Sequence, residues 1–378
     1  MTTSLINRIM ELALTPTAPF REHWFCAAVD RQLAAIPGVR FEADAFGNRI
    51  ARLRRGAPHG ALPVFVAHMD HPGFIFPPQG ARAISAAEPN RYEAVFEGRV
   101  DDEYFPGAPV ALYRAADDKG VAGQVVSAAP RGGEDDNRRV VIETRDNAEG
   151  AVLAAWDVPV FMAEGGLILA RACDDVAGCG MLIEAMARLA GEPDIDIALI
   201  LTRAEEAGLC GTLCMLDNLP IPGLEGENAI FISVETSSER PGIALGEGAV
   251  IRIGDRSSTF DGAFADELWG LARMQSLFAR RALMDGGTCE ATLFGRAGLR
   301  CGGICVPVRN YHNMDREAGS LAPEIIAETD TEALVELVAG IALAHARGDA
   351  ASAPPLVNWN KLLRKGQRQL QPLRIIGR

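Results

Sequence analysis

The chain has 378 residues, of which 48% are hydrophobic, and it carries a formal net charge of −13. This length is enough for two domains, but no stretch reaches the roughly 18 uninterrupted apolar residues of a membrane-spanning helix. The acidic balance opposes nucleic-acid binding, so we expect neither a nucleic-acid nor a membrane partner.

The first 20 residues lack a basic lead followed by an apolar stretch, so we expect no secretory signal and a cytoplasmic protein. The eight cysteines are too sparse for a disulfide scaffold, and we expect them to be reduced. Two CxxxC pairs, 210/214 and 301/305, could in principle hold a structural zinc. Their small-residue surroundings favour packing within a helix or strand instead.

Apolar spacing predicts helices within residues 5–36, followed by a turn at 46–48 and a strand at 49–53. The apolar run 62–67 ends at His68, which predicts a buried parallel strand with this histidine at its carboxyl end. From about 75 to 161, short alternating segments are separated by Gly, Pro and Asp clusters. This texture predicts an all-β insert.

Helical spacing returns after Asp174 and Asp175, over residues 179–189. Further strands are predicted at 195–201, 229–234 and 299–306, and a last helix from about 323 to 345. We therefore divide the chain into a discontinuous catalytic domain (1–75 and 163–349), an inserted β-domain (76–162) and a basic tail (350–378). The tail is interpreted as a solvated arm or as a segment that packs on a neighbouring subunit.

Ionisable residues collect where the predicted strands end, which is where α/β sheets place functional groups. The set consists of His68, Asp70, Asp174, Asp175, Glu205, Glu206, Glu235 and His312. Each motif alone has an ordinary explanation, such as a surface pair or a helix cap. Together, two histidines and several carboxylates form the mixed nitrogen and oxygen ligand set that suits Zn²⁺, Co²⁺ or Mn²⁺.

These motifs resemble the glutamyl-aminopeptidase and tetrahedral-aminopeptidase family of co-catalytic metallopeptidases, related to the zinc carboxypeptidase and deacylase group. The resemblance extends to about residue 347 and includes the D-x-x-G-N of 44–48, the Pro-Gly of 241–242, the Gly-Gly-Thr of 286–288 and the Tyr-His of 311–312. It implies an α/β fold with a mixed central sheet flanked by helices, of the zinc-exopeptidase type. It also implies that the insert is a small β-barrel-like domain through which a homo-oligomer forms.

The resemblance further implies two divalent ions per subunit, with zinc expected and cobalt or manganese as alternatives. Asp174 would bridge both ions. Glu206 and His312 would complete one site, and His68 and Glu235 the other. A cis peptide bond between residues 174 and 175 is part of the same expectation.

By the same resemblance, Glu205 is left free to move protons between the attacking water and the leaving amine. Asp70 would accept a hydrogen bond from the non-ligating nitrogen of His68 and so fix its tautomer. We interpret His71 as an exposed loop histidine, with a stray ligand or a substrate contact as alternatives.

The chain departs from the family pattern at two places. Glu235 stands where the peptidases usually have Asp, although related deacylases and carboxypeptidases use Glu. The segment Gly287, Thr288, Cys289 and Glu290 is the predicted substrate-binding loop, and its last two residues differ from the usual Asp and small residues. A thiol nucleophile at Cys289 is disfavoured because no histidine is free to serve it.

We expect an aminopeptidase that releases N-terminal residues from peptides. The alternative is a metal-dependent deacylase or amidase that acts on a small non-peptide amide, which Glu235 and the unusual 288–290 loop would suit. A non-catalytic binding protein of the same fold is a third alternative, but such a protein has no need of a free carboxylate at position 205.

Overall fold

The computed structural model describes residues 4–116, 119–132, 137–275, 277, 279–349 and 359–369. The strands group along the chain. The first three are β1 (Val39–Ala43), β2 (Arg49–Arg55) and β3 (Leu62–His68). Seven short strands follow: β4 (Gly73–Ile75), β5 (Ala83–Ser85), β6 (Glu88–Glu97), β7 (Pro109–Tyr113), β8 (Val121–Ala128), β9 (Arg138–Thr144) and β10 (Leu153–Trp156).

The second half of the chain supplies the remaining strands. They are β11 (Phe161–Glu164), β12 (Leu167–Ala170), β13 (Ile195–Thr202), β14 (Ala229–Ser238), β15 (Ala249–Gly254), β16 (Ala279–Leu283), β17 (Cys301–Val308), β18 (Met314–Asp315), β19 (Ser320–Leu321) and β20 (Glu324–Ala327). The helices are α1 (Ser4–Ala13), α2 (His23–Ala34), α3 (Val176–Leu189), α4 (Cys210–Asp217), α5 (Gly262–Met274), α6 (Glu290–Arg296), α7 (Glu328–Arg347) and α8 (Trp359–Gln369).

The largest sheet has eight strands in the order β1-β2-β13-β3-β14-β17-β15-β16. Its four central strands, β13, β3, β14 and β17, run parallel to one another. Strands β3, β13 and β17 are buried along their whole length, as their continuous apolar sequences predict for strands covered on both faces. The carboxyl ends of these central strands therefore meet at one edge of the sheet.

Helices cover both faces of this sheet. On one face, Phe65 and Ala67 of β3 join a core with residues of α1, α2, α3, α5 and α7. On the other face, Val64 and Val66 pack with Met215 of α4 and Phe294 of α6. The alternation along β3 follows from the period of two residues in a strand, so one apolar run serves two cores.

The insert forms a closed barrel of six strands in the order β4-β10-β7-β8-β9-β6, with β6 returning to β4 and β5 added at the edge of β6. Its separate core contains Phe74, Phe96, Phe105 and Trp156. Edge-to-face contacts at centroid separations of 4.8–4.9 Å join Phe74 to Phe96 and Trp156, and Phe96 to Phe105. The predicted α/β fold with a mixed, helix-flanked sheet and an inserted barrel is confirmed.

The predicted last helix is corrected at its start. Residues 324–327 form strand β20, which pairs with β12, and helix α7 begins at Glu328. Pairing with a neighbouring strand outweighs the helical spacing here. Of the predicted tail, residues 350–358 and 370–378 lie outside the described residues, and 359–369 form α8. None of the described helices combines the length and apolar character needed to cross a membrane.

Candidate metal centre

The predicted ligands converge at the carboxyl edge of the central sheet. His68 is the last residue of β3, Glu235 lies in β14, and Glu205 and Glu206 lie in the loop after β13. Two further residues come from connections beside the sheet: Asp174 between β12 and α3, and His312 just after β17. The peptide bond between Asp174 and Asp175 is cis, as expected.

The ligand atoms form two triads that share Asp174. One contains His68, Asp174 and Glu235, and the other contains Asp174, Glu206 and His312, with all atoms of each triad within 4.8 Å of one another. A third grouping of the same kind joins Glu205 to His68 and Glu206. The structure thus brings together the five predicted ligands with Glu205 beside them.

Direct distances show how close the two triads are. His68 Nε2 lies 3.4 Å from Asp174 Oδ1, and His312 Nε2 lies 3.5 Å from Asp174 Oδ2. His312 Nε2 is also 3.0 Å from Glu206 Oε1. The buried atoms Asp174 Oδ1, Glu206 Oε1 and His312 Nε2 nevertheless have no hydrogen-bond partner among the described residues. Buried, unsatisfied carboxylate and imidazole atoms that point at one another fit cation ligands.

The pKa values of Glu205 and His312 are both raised, although burial acts on the two groups in opposite directions. Burial raises the pKa of Glu205 well above its ordinary value, and the charges of Glu206 and Glu235 add to this effect. Burial lowers the pKa of His312, but the carboxylates of Glu206 and Asp174 raise it well above the ordinary value. Raised pKa values of this kind are expected where carboxylates and imidazoles are buried close together.

Asp70 is fully buried and differs in one contact from the prediction. His68 Nδ1 lies 3.1 Å from the backbone oxygen of Asp70, while the nearest carboxylate oxygen is 3.7 Å away. The carboxylate instead accepts the backbone N–H groups of Glu205 and Glu206, each at 3.0 Å. Asp70 therefore orients His68 through its main chain and the Glu205–Glu206 loop through its side chain.

His312 is oriented from the barrel side. Its Nδ1 lies 2.6 Å from the backbone oxygen of Arg99, in the connection between β6 and β7. The Tyr311 ring stacks on the His312 ring at a centroid separation of 3.8 Å. The insert thus contributes an atom that orients a predicted ligand.

The centre opens into a cavity of about 1030 Å³. Gly287, Thr288 and Cys289 of the predicted substrate loop line this cavity together with Glu205. Glu290 is fully buried and turns away from it, because its carboxylate accepts hydrogen bonds from Thr202 at 2.9 Å and Ser233 at 3.1 Å. Within this loop, residues 287–289 can therefore reach a substrate in the cavity.

The favoured interpretation of His71 as an exposed histidine is wrong. Its side chain is buried, with Nδ1 2.6 Å from the backbone oxygen of Asp174 and Nε2 3.0 Å from Asn313 Oδ1. The sequence gives no sign of this, because both partners are more than 100 positions away. The two CxxxC pairs lie in α4 and β17, as favoured, and all eight cysteines are free thiols.

Sequence reasoning missed two further residues that face the centre. Glu324 begins β20 and accepts the backbone N–H groups of the predicted ligands Asp174 and His312. Arg252 of β15 is buried, lines the cavity and lies 3.8 Å from Glu235 Oε1. An isolated charge within a short apolar strand is the one signal that could have pointed to either residue.

Comparison with solved structures supports the fold. The TET1 peptidase of Pyrococcus horikoshii, which can assemble into a tetrahedron or a large octahedral shell, is 21% identical with a TM-score of 0.70, over 89% of this chain and 99% of that chain. The aminopeptidase APDkam598 from the archaeon Desulfurococcus kamchatkensis is 20% identical with a TM-score of 0.71, over 94% and 98%. A Thermotoga maritima protein named an endoglucanase is 18% identical with a TM-score of 0.64, over 92% and 99%.

A family comparison adds what the fold alone does not show. Residues 147–322 match the family described as M42 glutamyl aminopeptidase, and this segment contains Asp174, Glu205, Glu206, Glu235 and His312. The resemblance predicted from the motifs is confirmed by this match. The match of this segment to the M42 glutamyl aminopeptidase family, together with the fold shared with solved aminopeptidases, supports a metal-dependent aminopeptidase.

Proposed function

We propose that the two triads hold two divalent cations, with Asp174 as the shared ligand. Zn²⁺ is the expected ion, because both triads combine one histidine with carboxylates, and Co²⁺ or Mn²⁺ would fit the same donors. Bound there, the cations supply Lewis acidity toward a water molecule and the scissile carbonyl. The observation that carries this proposal is the convergence of two triads on one carboxylate, with Glu205 beside them.

Glu205 is the proton carrier in this proposal. Its carboxylate takes a proton from water as the water oxygen bonds to the carbonyl carbon, and it passes that proton to the nitrogen when the C–N bond breaks. Glu205 lies beside the two triads and lines the cavity, which is where a group that carries this proton must lie. Glu206 Oε1 lies 3.0 Å from His312 Nε2 in the second triad, and as a proposed cation ligand Glu206 is not free for this task.

The peptide N-terminus is proposed to lie between the metal centre and the substrate loop. Glu205, Thr288 and Cys289 line the same cavity of about 1030 Å³, which is large enough for a few residues. Glu235 would hold its cation with the longer side chain that replaces the usual Asp. The hydroxyl of Ser233, on the same strand, lies 3.5 Å from Glu235 Oε1.

Turnover of chromogenic amides tests this assignment. The metal-free protein is loaded with Zn²⁺, Co²⁺ or Mn²⁺ and assayed with a series of aminoacyl amides and, as the matched series, the corresponding N-acylated amides. We expect hydrolysis of aminoacyl amides that depends on added metal. Preferential hydrolysis of the N-acylated series would instead identify a deacylase, and hydrolysis that persists fully in chelator would refute the metal mechanism.

We also propose that residues 76–162 act as a domain for self-association, with residues 1–75 and 163–349 as the catalytic domain. The closed barrel with its own aromatic core supports this division. The P. horikoshii relative described as forming closed shells supports a homo-oligomer. The cytoplasm is the proposed compartment, since eight free thiols suit a reducing environment.

A further inference from the structure

Glu324 is a buried carboxylate outside the ligand set whose contacts run to the backbone of two ligands. Its side chain is 0% exposed. Oε2 accepts the N–H groups of Cys173 at 2.7 Å and Asp174 at 2.9 Å, and Oε1 accepts the N–H of His312 at 2.7 Å. One carboxylate therefore holds the main chain at two members of the same triad.

Strand pairing explains how Glu324 reaches both segments. In the antiparallel register of β20 with β12, Glu324 lies opposite Ala170, four residues before Asp174. On the other side of β20, Ile325 pairs with Arg309 in an isolated bridge. Arg309 lies three residues before His312. The two ligand-bearing segments thus leave neighbouring strands on either side of β20, and Glu324 lies between them.

The segment that carries His312 needs such support. Asn310, His312 and Asn313 have φ values of 57°, 56° and 64°, in the left-handed region that non-glycine residues seldom adopt. Such conformations persist only where surrounding contacts impose them. The Glu324 carboxylate holds the backbone N–H of His312, and the Asn313 side chain donates to the backbone oxygens of Arg171 at 2.8 Å and Ala322 at 3.1 Å.

A second set of contacts ties the same two segments together. Since the Asn313 amide nitrogen is used by two carbonyl groups, its Oδ1 is the acceptor that faces His71 Nε2 at 3.0 Å. The other nitrogen of His71 lies 2.6 Å from the backbone oxygen of Asp174. Asp174 is therefore held at its N–H by Glu324 and at its carbonyl by His71.

We propose that Glu324 is a positioning residue that presents Asp174 and His312 to a cation at the spacing which that cation requires. The proposal rests on the metal-ligand roles proposed above. Glu324 does not touch the cation in this arrangement and acts through the two ligands. Outer partners of this kind typically change metal affinity by about 10- to 100-fold when they are removed.

The test is Glu324→Gln in the full-length chain, because the amide keeps the size of the side chain and loses one acceptor. The single amide oxygen can accept the N–H groups of Cys173 and Asp174. The NH₂ group then faces the N–H of His312, and because both are donors, the hydrogen bond to His312 is lost. We expect the cation held by Asp174, Glu206 and His312 to bind about 10- to 100-fold more weakly, while the other cation is affected less. Zn²⁺ affinity is measured by competition with a chromophoric chelator, and Co²⁺ absorption reports the change in coordination.

Asp330→Asn is the matched control. Asp330 is also 0% exposed and accepts two backbone N–H groups, those of Gly246 at 2.7 Å and Gly248 at 2.6 Å, but it touches no predicted ligand. The Asp330→Asn variant should lower the melting temperature of the metal-free protein in the same way as Glu324→Gln, and it should leave both Zn²⁺ affinities unchanged. Equal losses of affinity in the two variants would overturn the proposal, because the effect would then come from general stability.

Three other outcomes are decisive. Wild-type affinity for both ions in Glu324→Gln overturns the positioning role while the proposed function stands. Failure of the wild-type chain to bind two ions, or full binding by His312→Ala, removes the proposed metal sites themselves. If Glu324→Gln does not fold, Glu324→Asp keeps both oxygens on a shorter side chain and should weaken the same cation, and unchanged affinity there also overturns the positioning role.

Discussion

The carboxylate of Asp70 accepts the backbone N–H of Glu205 at 3.0 Å, and its second oxygen accepts that of Glu206 at the same distance. The two glutamates therefore share one support for their main chain while their side chains have different surroundings. Glu206 faces His312, and Glu205 faces the cavity. Substitution of either side chain should leave the loop in place, so the two variants can be compared directly.

Glu205→Gln should keep both metal ions and lose turnover by about 10² to 10⁴, the usual effect of removing a positioned proton carrier. The amide is nearly isosteric but cannot accept a proton from water. Metal content by elemental analysis and aminopeptidase turnover are measured on the same sample. A variant that loses an ion would show that Glu205 is a ligand, which its nearness to His68 and Glu206 makes a real alternative.

Glu206→Gln should lose one metal ion first, and activity as a consequence. A neutral amide is a poor ligand for a divalent cation, and within the described part of the chain no hydrogen-bond partner holds Glu206 Oε1 in place. The measurement is the number of ions per chain at increasing free Zn²⁺, with Glu205→Gln as the control. Retention of both ions together with lost turnover would exchange the proposed roles of the two glutamates.

Most of the proposed ligands stand out in the sequence because they follow the apolar run of a predicted buried strand, whereas Asp174 precedes a predicted helix. His68 at the end of 62–67 is the clearest case, and the structure places it beside Asp174 at 3.4 Å. The sequence could not reveal that His71 and Glu324 both contact the main chain of Asp174, which is 103 positions from His71 and 150 from Glu324. Such contacts depend on strand register and leave no motif.

Removal of the metal ions should lower the melting temperature of the wild-type chain. Ions that bind only the folded state add about 4 kcal/mol at a thousandfold excess over the dissociation constant. Without them, the buried carboxylates of Glu205 and Glu235 lie close to other carboxylates, so charging them in the folded state costs free energy. Calorimetry in chelator and after addition of Zn²⁺ measures the difference, and Glu206→Gln should recover less of it. Equal melting temperatures of the wild type in chelator and with added Zn²⁺ would contradict a metal-stabilised centre.

Replacement of residues 76–157 by a short linker should give an assembly with fewer subunits. Its mass should fall by more than the removed residues alone account for. The cut leaves β11 intact, so its pairing with β12 is retained. Mass by light scattering is the measurement, since activity will also fall when His312 loses the Arg99 carbonyl. Glu205→Gln is the control and should keep the wild-type assembly. The same number of subunits in the shortened chain would place the self-association surface elsewhere.

The last prediction concerns Glu184 of α3, the helix that begins two residues after Asp174. Its buried carboxylate accepts hydrogen bonds from Arg8 at 2.7 Å, Ser4 at 2.8 Å and Arg188 at 3.0 Å, so it fastens α1 to α3. Burial alone would raise the pKa of Glu184, but these donors bring it below the ordinary value of 4.5. Because the folded-state pKa is the lower one, the stabilisation is complete at pH values above 4.5 and is lost as the pH falls through the folded-state pKa.

Glu184→Gln should therefore lower the free energy of unfolding by about 1 to 3 kcal/mol near neutral pH, and the difference from wild type should shrink in acid. Urea titrations of the metal-free protein at several pH values between neutrality and the acid range measure this difference. Glu336→Gln on the exposed side of α7 is the matched control and should track the wild type at every pH. A deficit in Glu184→Gln that stays constant into acid would mean that the carboxylate charge is not what holds α1 against α3, and that packing accounts for the loss.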